Sequence, residues 1–328
     1  MRIVLDGMGG DHAPEVTVAG AVQAARDFGV HILLVGPEPL LREELKKYED
    51  TSRITLVHAA DWIRMDEHPA AAVRAKPQNS MSVGMQLVKQ GEGDAFVTCG
   101  NTGAALAAAL FTLGRIRGVK RPALTTLFPT LDGQALVLDI GANADCKPLY
   151  LQQFARMGDL YARHVLEWSD PRVGLLSIGE EAGKGNTLVQ EAFSLLQETE
   201  AIHFVGNVEP KEVVQGQVDV VVTDGFTGNV FIKTAEATGT LLLDVLKEEV
   251  KKRPVAAAAM LLAKSAFKAT MRRLDPREFG GAPLLGVNGV VIIGHGRSDA
   301  YAVRNAVRTG IQAVEARIVE RLTHALMG

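Results

Sequence analysis

Short runs of apolar, often β-branched residues alternate along the chain with longer amphipathic stretches, and glycine-rich turns separate the two. The short runs predict strands at 2–5, 31–36, 54–58, 94–98, 123–128, 134–139, 172–178, 202–205, 218–223 and 289–294. The longer stretches predict helices at about 15–28, 38–48, 80–90, 103–116, 148–168, 185–199, 227–252, 255–273 and 299–326. Many of the short runs are apolar throughout, as in strands covered on both faces. The pattern therefore predicts an α/β protein with a mostly parallel sheet in a three-layer, Rossmann-like arrangement.

Two segments share the form Asp, two apolar residues, Val-Thr-x-Gly-x-Thr-Gly. They are the first repeat, 94–103, and the second repeat, 219–228, and each closes a predicted strand and opens a predicted helix. No Ser/Pro-rich linker or low-complexity segment divides the chain. We therefore predict one α/β unit over 1–328, made of two interdigitated lobes that each contribute a glycine turn to a shared cleft.

The composition argues against a nucleic-acid partner, a disulfide framework and a membrane-spanning helix. The 328 residues carry a formal net charge of −3 and only 5% aromatic side chains, so nucleic acid is not an expected partner. The chain has 2 cysteines, too few for a disulfide framework, which indicates a reducing, cytoplasmic setting. The uncharged stretch 95–114 has loop residues in its first half, so we expect no membrane-spanning helix.

The sequence contains no complete form of the common cofactor-binding and metal-binding motifs. The segment 7–12 begins like a dinucleotide-binding loop but has His12 where the last glycine belongs. The segment 179–185 resembles a P-loop but has Gly185 after the lysine in place of Ser or Thr. The histidines are dispersed and lack metal-ligand spacing. We expect neither a cofactor nor a metal site.

Glycine and small polar residues follow several predicted strands, at 6–12, 98–103, 139–145, 179–186, 223–229 and 294–299. In a parallel sheet these turns lie at the carboxyl edge, where ligands bind, and glycine lets backbone N–H groups approach an anion. Helix N-termini add partial positive charge. We expect the turns to converge on a phosphate-sized pocket, while for any single turn the alternative is that its glycines serve only the turn itself.

The segments 6–14, 100–104, 139–143, 179–181, 224–229 and 294–296, in this order, resemble the bacterial phosphate acyltransferase family of fatty acid and phospholipid synthesis. The resemblance implies that a long fatty acyl chain moves from the thioester of acyl-carrier protein to inorganic phosphate, giving acyl phosphate. It also implies a homodimer, a peripheral habit on the inner face of the cell membrane and contact with a downstream acyltransferase. The implied fold is similar to phosphotransacetylases and to isocitrate and isopropylmalate dehydrogenases.

The expected chemistry needs no covalent nucleophile, because phosphate itself attacks when it is held against the thioester carbonyl. Lys184 and Asn229 are our candidate catalytic donors to the phosphate or the developing oxyanion, and His12 is our candidate acid for the departing thiolate. The alternatives are that Lys184 is a solvated surface lysine and that His12 caps the first helix.

The remaining candidate residues share polar or glycine character at the ends of strands or the starts of helices. Asp6, Asp139 and Asp224 are expected to orient donors, with ordinary turn chemistry as the alternative. Either Asn79 or Ser80 is the expected N-cap of its helix. The candidate phosphate-binding or substrate-binding residues are Asp6, Gly9, Gly10, Lys76, Asn79, Ser80, Gly100, Asn101, Thr102, Gly103, Asp139, Asn143, Asp224, Thr227 and Gly228.

The basic segment, 251–273, lies within a predicted protruding helical hairpin at 245–279. Its basic residues, with no acid among them, are Lys251, Lys252, Arg253, Lys264, Lys268, Arg272 and Arg273. Such a segment fits an acidic carrier protein, an anionic lipid surface or a packing contact with a dimer partner. The competing functions for the whole chain are an NAD-dependent oxidoreductase similar to isocitrate dehydrogenase and a non-catalytic regulator that binds phosphate or carrier protein.

Overall fold

The strands form one 11-stranded sheet in the computed structural model, which describes residues 1–253, 255, 259–260 and 262–327. In chain order the strands are β1 Arg2–Asp6, β2 His31–Gly36, β3 Ile54–His58, β4 Ala95–Thr98, β5 Ala123–Thr130, β6 Gly133–Leu138, β7 Arg172–Leu176, β8 His203–Val208, β9 Val220–Val222, β10 Ala282–Leu285 and β11 Val290–Ile293. Their order in the sheet is β3-β2-β1-β4-β11-β10-β5-β6-β9-β7-β8.

Two parallel blocks of strands are joined by an antiparallel centre. One block contains β3, β2, β1, β4 and β11, and the other contains β6, β9, β7 and β8. Strand β10 is antiparallel to β11 and to β5, and β5 is antiparallel to β6. The prediction of a mostly parallel sheet is confirmed. Because three antiparallel pairings separate the two blocks, the strands of one block run opposite to those of the other within the sheet.

The helices cover both faces of the sheet. They are α1 Glu15–Phe28, α2 Glu38–Leu45, α3 Pro69–Ala75, α4 Ser80–Lys89, α5 Thr102–Thr112, α6 Pro148–His164, α7 Thr187–Gln197, α8 Pro210–Val214, α9 Gly225–Lys251, α10 Lys264–Arg273, α11 Ala300–Glu315 and α12 Ile318–Leu326. A 3₁₀ turn, Pro276–Phe279, follows α10. Among the residues with a described position, no helix combines the length and apolarity that crossing a bilayer requires.

Strand β1 illustrates why the apolar runs become buried strands. Successive side chains of a strand point to opposite faces of the sheet. Ile3 and Leu5 therefore join the apolar cluster beneath α1 and α11, whereas Val4 joins the cluster beneath α4 and α5. All three side chains are fully buried, so only the last residue of the strand, Asp6, brings polar chemistry to the sheet edge.

Several elements differ from the sequence-based expectation. The single helix predicted at 299–326 is wrong, because Arg317 adopts a left-handed conformation with φ 51° and separates α11 from α12. The sequence pattern did not predict α3, α8 or β10, which are short. Of the helix predicted at 255–273, the structure describes α10, while Pro254, 256–258 and Leu261 lie outside the described residues.

Candidate active site

The first polar cluster forms where β1 and β4 end side by side. Asp6 is buried, and its Oδ1 accepts a hydrogen bond from the Met8 backbone N–H at 3.0 Å. Its Oδ2 accepts from the Thr98 hydroxyl at 2.8 Å, and the Thr98 oxygen in turn accepts from the Gly100 N–H at 3.0 Å. Burial raises the pKa of the Asp6 carboxyl, and the nearby Ser80 hydroxyl and the hydrogen bonds from Thr98 and Met8 oppose that rise. Asp6 thus fixes the turns after both strands in one arrangement.

Glycine is required where these turns touch. A Cβ at Gly9 would lie 2.6 Å from the Thr98 hydroxyl oxygen and 2.8 Å from Asp6 Oδ2, distances that no side chain tolerates. Gly10 has φ +117°, which side chains rarely adopt. The N–H of the next residue, Asp11, donates to the Gly296 carbonyl at 2.8 Å. The turns after β1, β4 and β11 therefore meet at one place.

The N-terminus of α5 opens onto this meeting point. Asn101 caps the helix, because its Oδ1 accepts from the Ala104 N–H at 3.0 Å, and its Nδ2 donates to the Met65 and Glu67 carbonyls. The backbone N–H groups of Thr102 and Gly103, the first two of α5, have no acceptor among the described residues. Unpaired N–H groups at a helix start attract anions. This is the strongest candidate position for phosphate.

The second polar cluster surrounds Asp139, which follows β6 and is fully buried. Its Oδ1 accepts from the N–H groups of Leu124, Gly141 and Ala142, and its Oδ2 accepts from the backbone and side-chain N–H groups of Asn143. Burial raises the pKa of this carboxyl, and the hydrogen bonds from Ala142 and Asn143 oppose the rise. Asp139 itself therefore occupies the N–H groups of this turn.

The start of α9 packs against the same turn. Asp224 is the N-cap, and its Oδ1 accepts from the N–H groups of Phe226 and Thr227 at 3.0 and 2.9 Å. The Thr227 hydroxyl donates to the other carboxylate oxygen at 2.7 Å. The Gly225 N–H donates to the Asn143 carbonyl at 2.8 Å. The amides that begin α9 are therefore satisfied within the protein, unlike those that begin α5.

The two repeats thus differ in structure despite their shared letters. In the first repeat the helix is capped by Asn101, whereas in the second repeat it is capped by Asp224, which aligns with Cys99. The second helix accordingly begins earlier in the motif, and a carboxylate occupies its first amides. Only the first repeat offers open donors to an external anion.

Two observations link the clusters across the molecule. Ile140 and Ala142, from the turn after β6, pack against the apolar cluster that includes Ala104 of α5. In addition, the charges of Lys233 and Glu236 on α9 act on His295, which follows β11. The turn after β6 and the start of α5 therefore pack against the same apolar cluster.

Two of the candidate catalytic residues lie outside these contacts. Lys184 is exposed in the loop after β7, where its side chain lies against Gly179 and its N–H donates to the Glu181 carbonyl. Among the described residues its contacts stay within that loop. His12 is exposed, and the N-cap of α1 is Pro14, without a capping side chain.

The candidate residues at the start of α4 are engaged in structure. Asn79 is fully buried and caps the helix, with its Oδ1 accepting from the Ser82 N–H at 2.9 Å and its Nδ2 donating to the Lys76 carbonyl. Lys76 donates from Nζ to Glu67 at 2.8 Å and to the Trp62 carbonyl at 3.1 Å. Ser80 is buried, and its hydroxyl has no hydrogen-bond partner among the described residues.

The cysteines are poor nucleophiles. Burial raises the pKa of Cys99 to about 11 and that of Cys146 to about 12. A thiol with such a pKa is protonated at neutral pH, and only the thiolate attacks efficiently. Neither side chain is suited to carry an acyl group.

The basic residues of the segment 251–273 divide into those bound to other parts of the protein and those outside its salt bridges. Lys252 and Arg253 pair with Glu249, and Arg272 pairs with Glu278. Arg273 donates to the carbonyls of Thr130 and Leu131 and so ties the end of α10 to the body of the protein. In the part of the chain that the structure describes, the salt bridges do not involve the exposed residues Lys251, Lys264 and Lys268.

His295 and Lys233 were not among the predicted site residues. The sequence signals for His295 were its position between two glycines after a predicted strand and its place in segment 294–296, which carries part of the family resemblance. Lys233 gave no signal, since a lysine in a long helix usually faces solvent.

Comparison with known proteins identifies close relatives along the full length. Residues 1–321 match a family described as fatty acid synthesis protein. A phosphate acyltransferase from Herpetosiphon aurantiacus is 46% identical over 360 residues, which covers 99% of this chain and 98% of the relative. A phosphate acyltransferase from Pelotomaculum thermopropionicum is 48% identical over 326 residues and covers 99% of this chain and 95% of the relative.

Solved structures share the fold at much lower identity. A phosphotransacetylase from Streptococcus pyogenes superposes with a TM-score of 0.67 at 18% identity, covering 97% of this chain and 94% of that chain. The predicted similarity to the phosphotransacetylase fold is confirmed.

Proposed function

This chain belongs to the phosphate acyltransferase family, whose members are transferases of fatty acid synthesis, and we propose that it moves a long fatty acyl group from acyl-carrier protein to inorganic phosphate. An oxygen of hydrogen phosphate attacks the carbonyl carbon of the thioester. The resulting tetrahedral intermediate expels the carrier thiolate as the C–S bond breaks. The proton that phosphate loses ends on the thiolate, so the products are acyl phosphate and the carrier thiol.

The transfer is direct, without an acyl-enzyme. Burial holds both cysteine thiols protonated, with pKa values of about 11 and about 12. Phosphate dianion is a sufficient nucleophile once it is held in contact with the carbonyl, since proximity alone can lower a barrier by about 7–11 kcal/mol. The protein supplies position and charge.

The observation that carries the proposal is the pair of N–H groups at Thr102 and Gly103, which have no acceptor in the described part of the chain and lie beside the glycine turn after β1. Phosphate binds there. The turn at Gly9 and Gly10 approaches it closely because neither residue has a side chain. Asp6 and Thr98 hold this geometry from beneath, as positioning residues rather than ligands.

The remaining candidate roles follow from this placement. Asn229 donates one of its two amide hydrogens to the Ile140 carbonyl and keeps the second for substrate. Lys184 supplies a cation from its exposed loop and acts when that loop approaches the bound substrate. His12, which is exposed beside the first cluster, delivers a proton to the departing carrier thiolate.

The carrier protein docks on the exposed lysines of the basic segment. Lys264 and Lys268 lie on α10, and Lys251 ends α9. Acyl-carrier proteins are acidic, so these lysines attract them. Val255 and Leu262 add exposed apolar side chains to this surface. Such side chains support a peripheral position at the inner face of the cell membrane. There the protein lies next to an acyltransferase that consumes the acyl phosphate.

The apolar face of α9 supports a homodimer. Leu241, Leu242, Val245 and Leu246 are exposed by 62, 65, 50 and 39%, and they recur at helical spacing. A second copy that applies the same face would bury all four side chains on both helices.

The test is to incubate the purified protein with an acyl-carrier thioester and inorganic phosphate, and to measure acyl phosphate as the hydroxamate and free thiol in parallel. We expect both products in equal amounts and only when phosphate is present. Thiol release without acyl phosphate, or independence from phosphate, contradicts the proposal.

A further inference from the structure

His295 is held at the meeting point of the first cluster by the backbone on both sides of it. The Gly294 N–H donates to the Thr98 carbonyl at 2.7 Å, and the Gly296 carbonyl accepts from the Asp11 N–H at 2.8 Å. The His295 residue itself is exposed. Its position is thus fixed relative to the open amides of α5, while its ring remains accessible.

The hydrogen bonding of the ring defines its proton. Nδ1 accepts a hydrogen bond from the Arg297 backbone N–H at 3.2 Å. A ring nitrogen that accepts carries no proton, so the neutral ring carries its proton on Nε2. The free nitrogen of His295 is therefore a donor.

The surroundings favour the neutral ring. Partial desolvation lowers the pKa of His295, and the positive charges of Arg297 and of Lys233 on α9 lower it further. Glu236 on α9 and Asp11 oppose the shift with smaller effects. The lowered pKa favours the uncharged ring at neutral pH, and that ring offers one N–H donor at Nε2.

We propose that His295 is a catalytic residue that donates a hydrogen bond from Nε2–H to the thioester carbonyl oxygen as it becomes negative in the tetrahedral intermediate. This inference rests on the proposed function. His295 transfers no proton in this step. Its Nδ1 accepts the hydrogen bond from the Arg297 N–H, so the ring cannot take up a proton at Nδ1 while it releases one at Nε2. The attacking phosphate on α5 and the developing oxyanion beside His295 are thereby stabilised by different groups.

The experiment compares three variants in the acyl phosphate assay. His295→Ala removes the donor, and we expect a fall in kcat of about 100-fold, as for loss of an oxyanion donor. His295→Gln places an amide N–H near the position of Nε2–H, and we expect it to recover activity to within about tenfold of the wild type. His203→Ala is the matched control, because His203 pairs with Asp170 in a separate ion-pair cluster, and its kcat should equal that of the wild type.

A second measurement keeps the inference independent of turnover. In two-bond ¹H–¹⁵N correlation spectra at pH 7, we expect His295 as the neutral tautomer protonated on Nε2. A Nδ1-protonated or charged ring would overturn the inference, as would equal activity of His295→Ala and the wild type. Equal loss in His295→Ala and His295→Gln, with the NMR signature of a folded protein retained, would also overturn it. Failure of the wild type to form acyl phosphate is a different result and contradicts the proposed function.

Discussion

Asn229 donates a hydrogen bond from Nδ2 to the backbone carbonyl of Ile140 at 2.9 Å, across 89 residues of sequence. The bond joins the first turn of α9 to the turn that follows β6. One side chain therefore closes the second polar cluster, and its second amide hydrogen has no acceptor among the described residues.

Asn229→Ala should lower both stability and activity, because it removes this bond and the candidate donor together. We expect a loss of about 1 kcal/mol in the free energy of unfolding, the usual net contribution of one hydrogen bond. We also expect a fall in kcat of at least about 100-fold if the free amide hydrogen contacts the oxyanion. Urea unfolding and the acyl phosphate assay measure the two effects. A drop in stability with unchanged kcat would make Asn229 a structural residue only.

Gly228→Ala should be strongly destabilising. A Cβ at this position would lie 2.0 Å from the Asp139 carbonyl oxygen, so the helix must shift away from the turn. We expect a loss of about 1–3 kcal/mol, the usual penalty of overpacking. Gly239→Ala is the matched control in the same helix, where a Cβ meets nothing within 4 Å. That variant should gain up to about 1 kcal/mol from helix propensity, and equal thermal shifts in both variants would contradict the packing at Gly228.

Glu67 should make stability depend on acid pH. The Arg64 backbone N–H and the Lys76 ammonium hold the pKa of this carboxyl below its ordinary value of 4.5. A lowered folded-state pKa stabilises the protein above the unfolded pKa, and this stabilisation is lost as pH falls through the folded pKa. Glu67→Gln should therefore flatten the decline of the urea midpoint between about pH 5 and pH 3. Parallel curves for the variant and the wild type would show that Glu67 is not the titrating group.

Reversing charge at Lys264 and Lys268 should weaken carrier binding without changing chemistry. Exposed ion pairs contribute up to about 1 kcal/mol each, so Lys264→Glu with Lys268→Glu should raise KM for the carrier thioester by about tenfold or more. The effect should shrink at high salt, and kcat should hold. Lys46→Glu is the control, since Lys46 pairs with Glu43 on the separate surface of α2. An unchanged KM in the double variant would exclude this surface as the carrier dock.

The fold class was predictable because burial leaves a direct mark on the sequence. The inner positions of β1, Ile3, Val4 and Leu5, are all apolar and fully buried, as a strand covered on both faces requires. The break at Arg317 was not predictable, because the residue is neither glycine nor proline and tertiary packing holds its left-handed conformation. Strand β10 was missed because Pro283 interrupts its short apolar run, which lies between Gly281 and Gly286.

The sequence predicted several anion-binding turns, and the structure shows that the two repeats among them are capped differently. The repeats suggested two equivalent anion-binding turns. In the second repeat, however, Asp224 stands at the position of Cys99 and accepts hydrogen bonds from the first amides of α9. The first repeat has no such carboxylate, so the first amides of α5 stay open in the described part of the chain. Asn79 was predicted as one of two possible N-caps, whereas the capping role of Asn101 was not predicted, and the burial of both depends on neighbours far along the chain. The proximity of Lys233 to His295 arises from the relation between α9 and β11, which no local pattern encodes.

The central claim is that phosphate binds at the start of α5, and the most direct test is a crystal structure of the protein with inorganic phosphate. We predict density for the anion within hydrogen-bond distance of the Thr102 and Gly103 N–H groups. Phosphate bound instead at the turn after β6 or in the Lys184 loop, with the α5 amides unoccupied, would contradict the account.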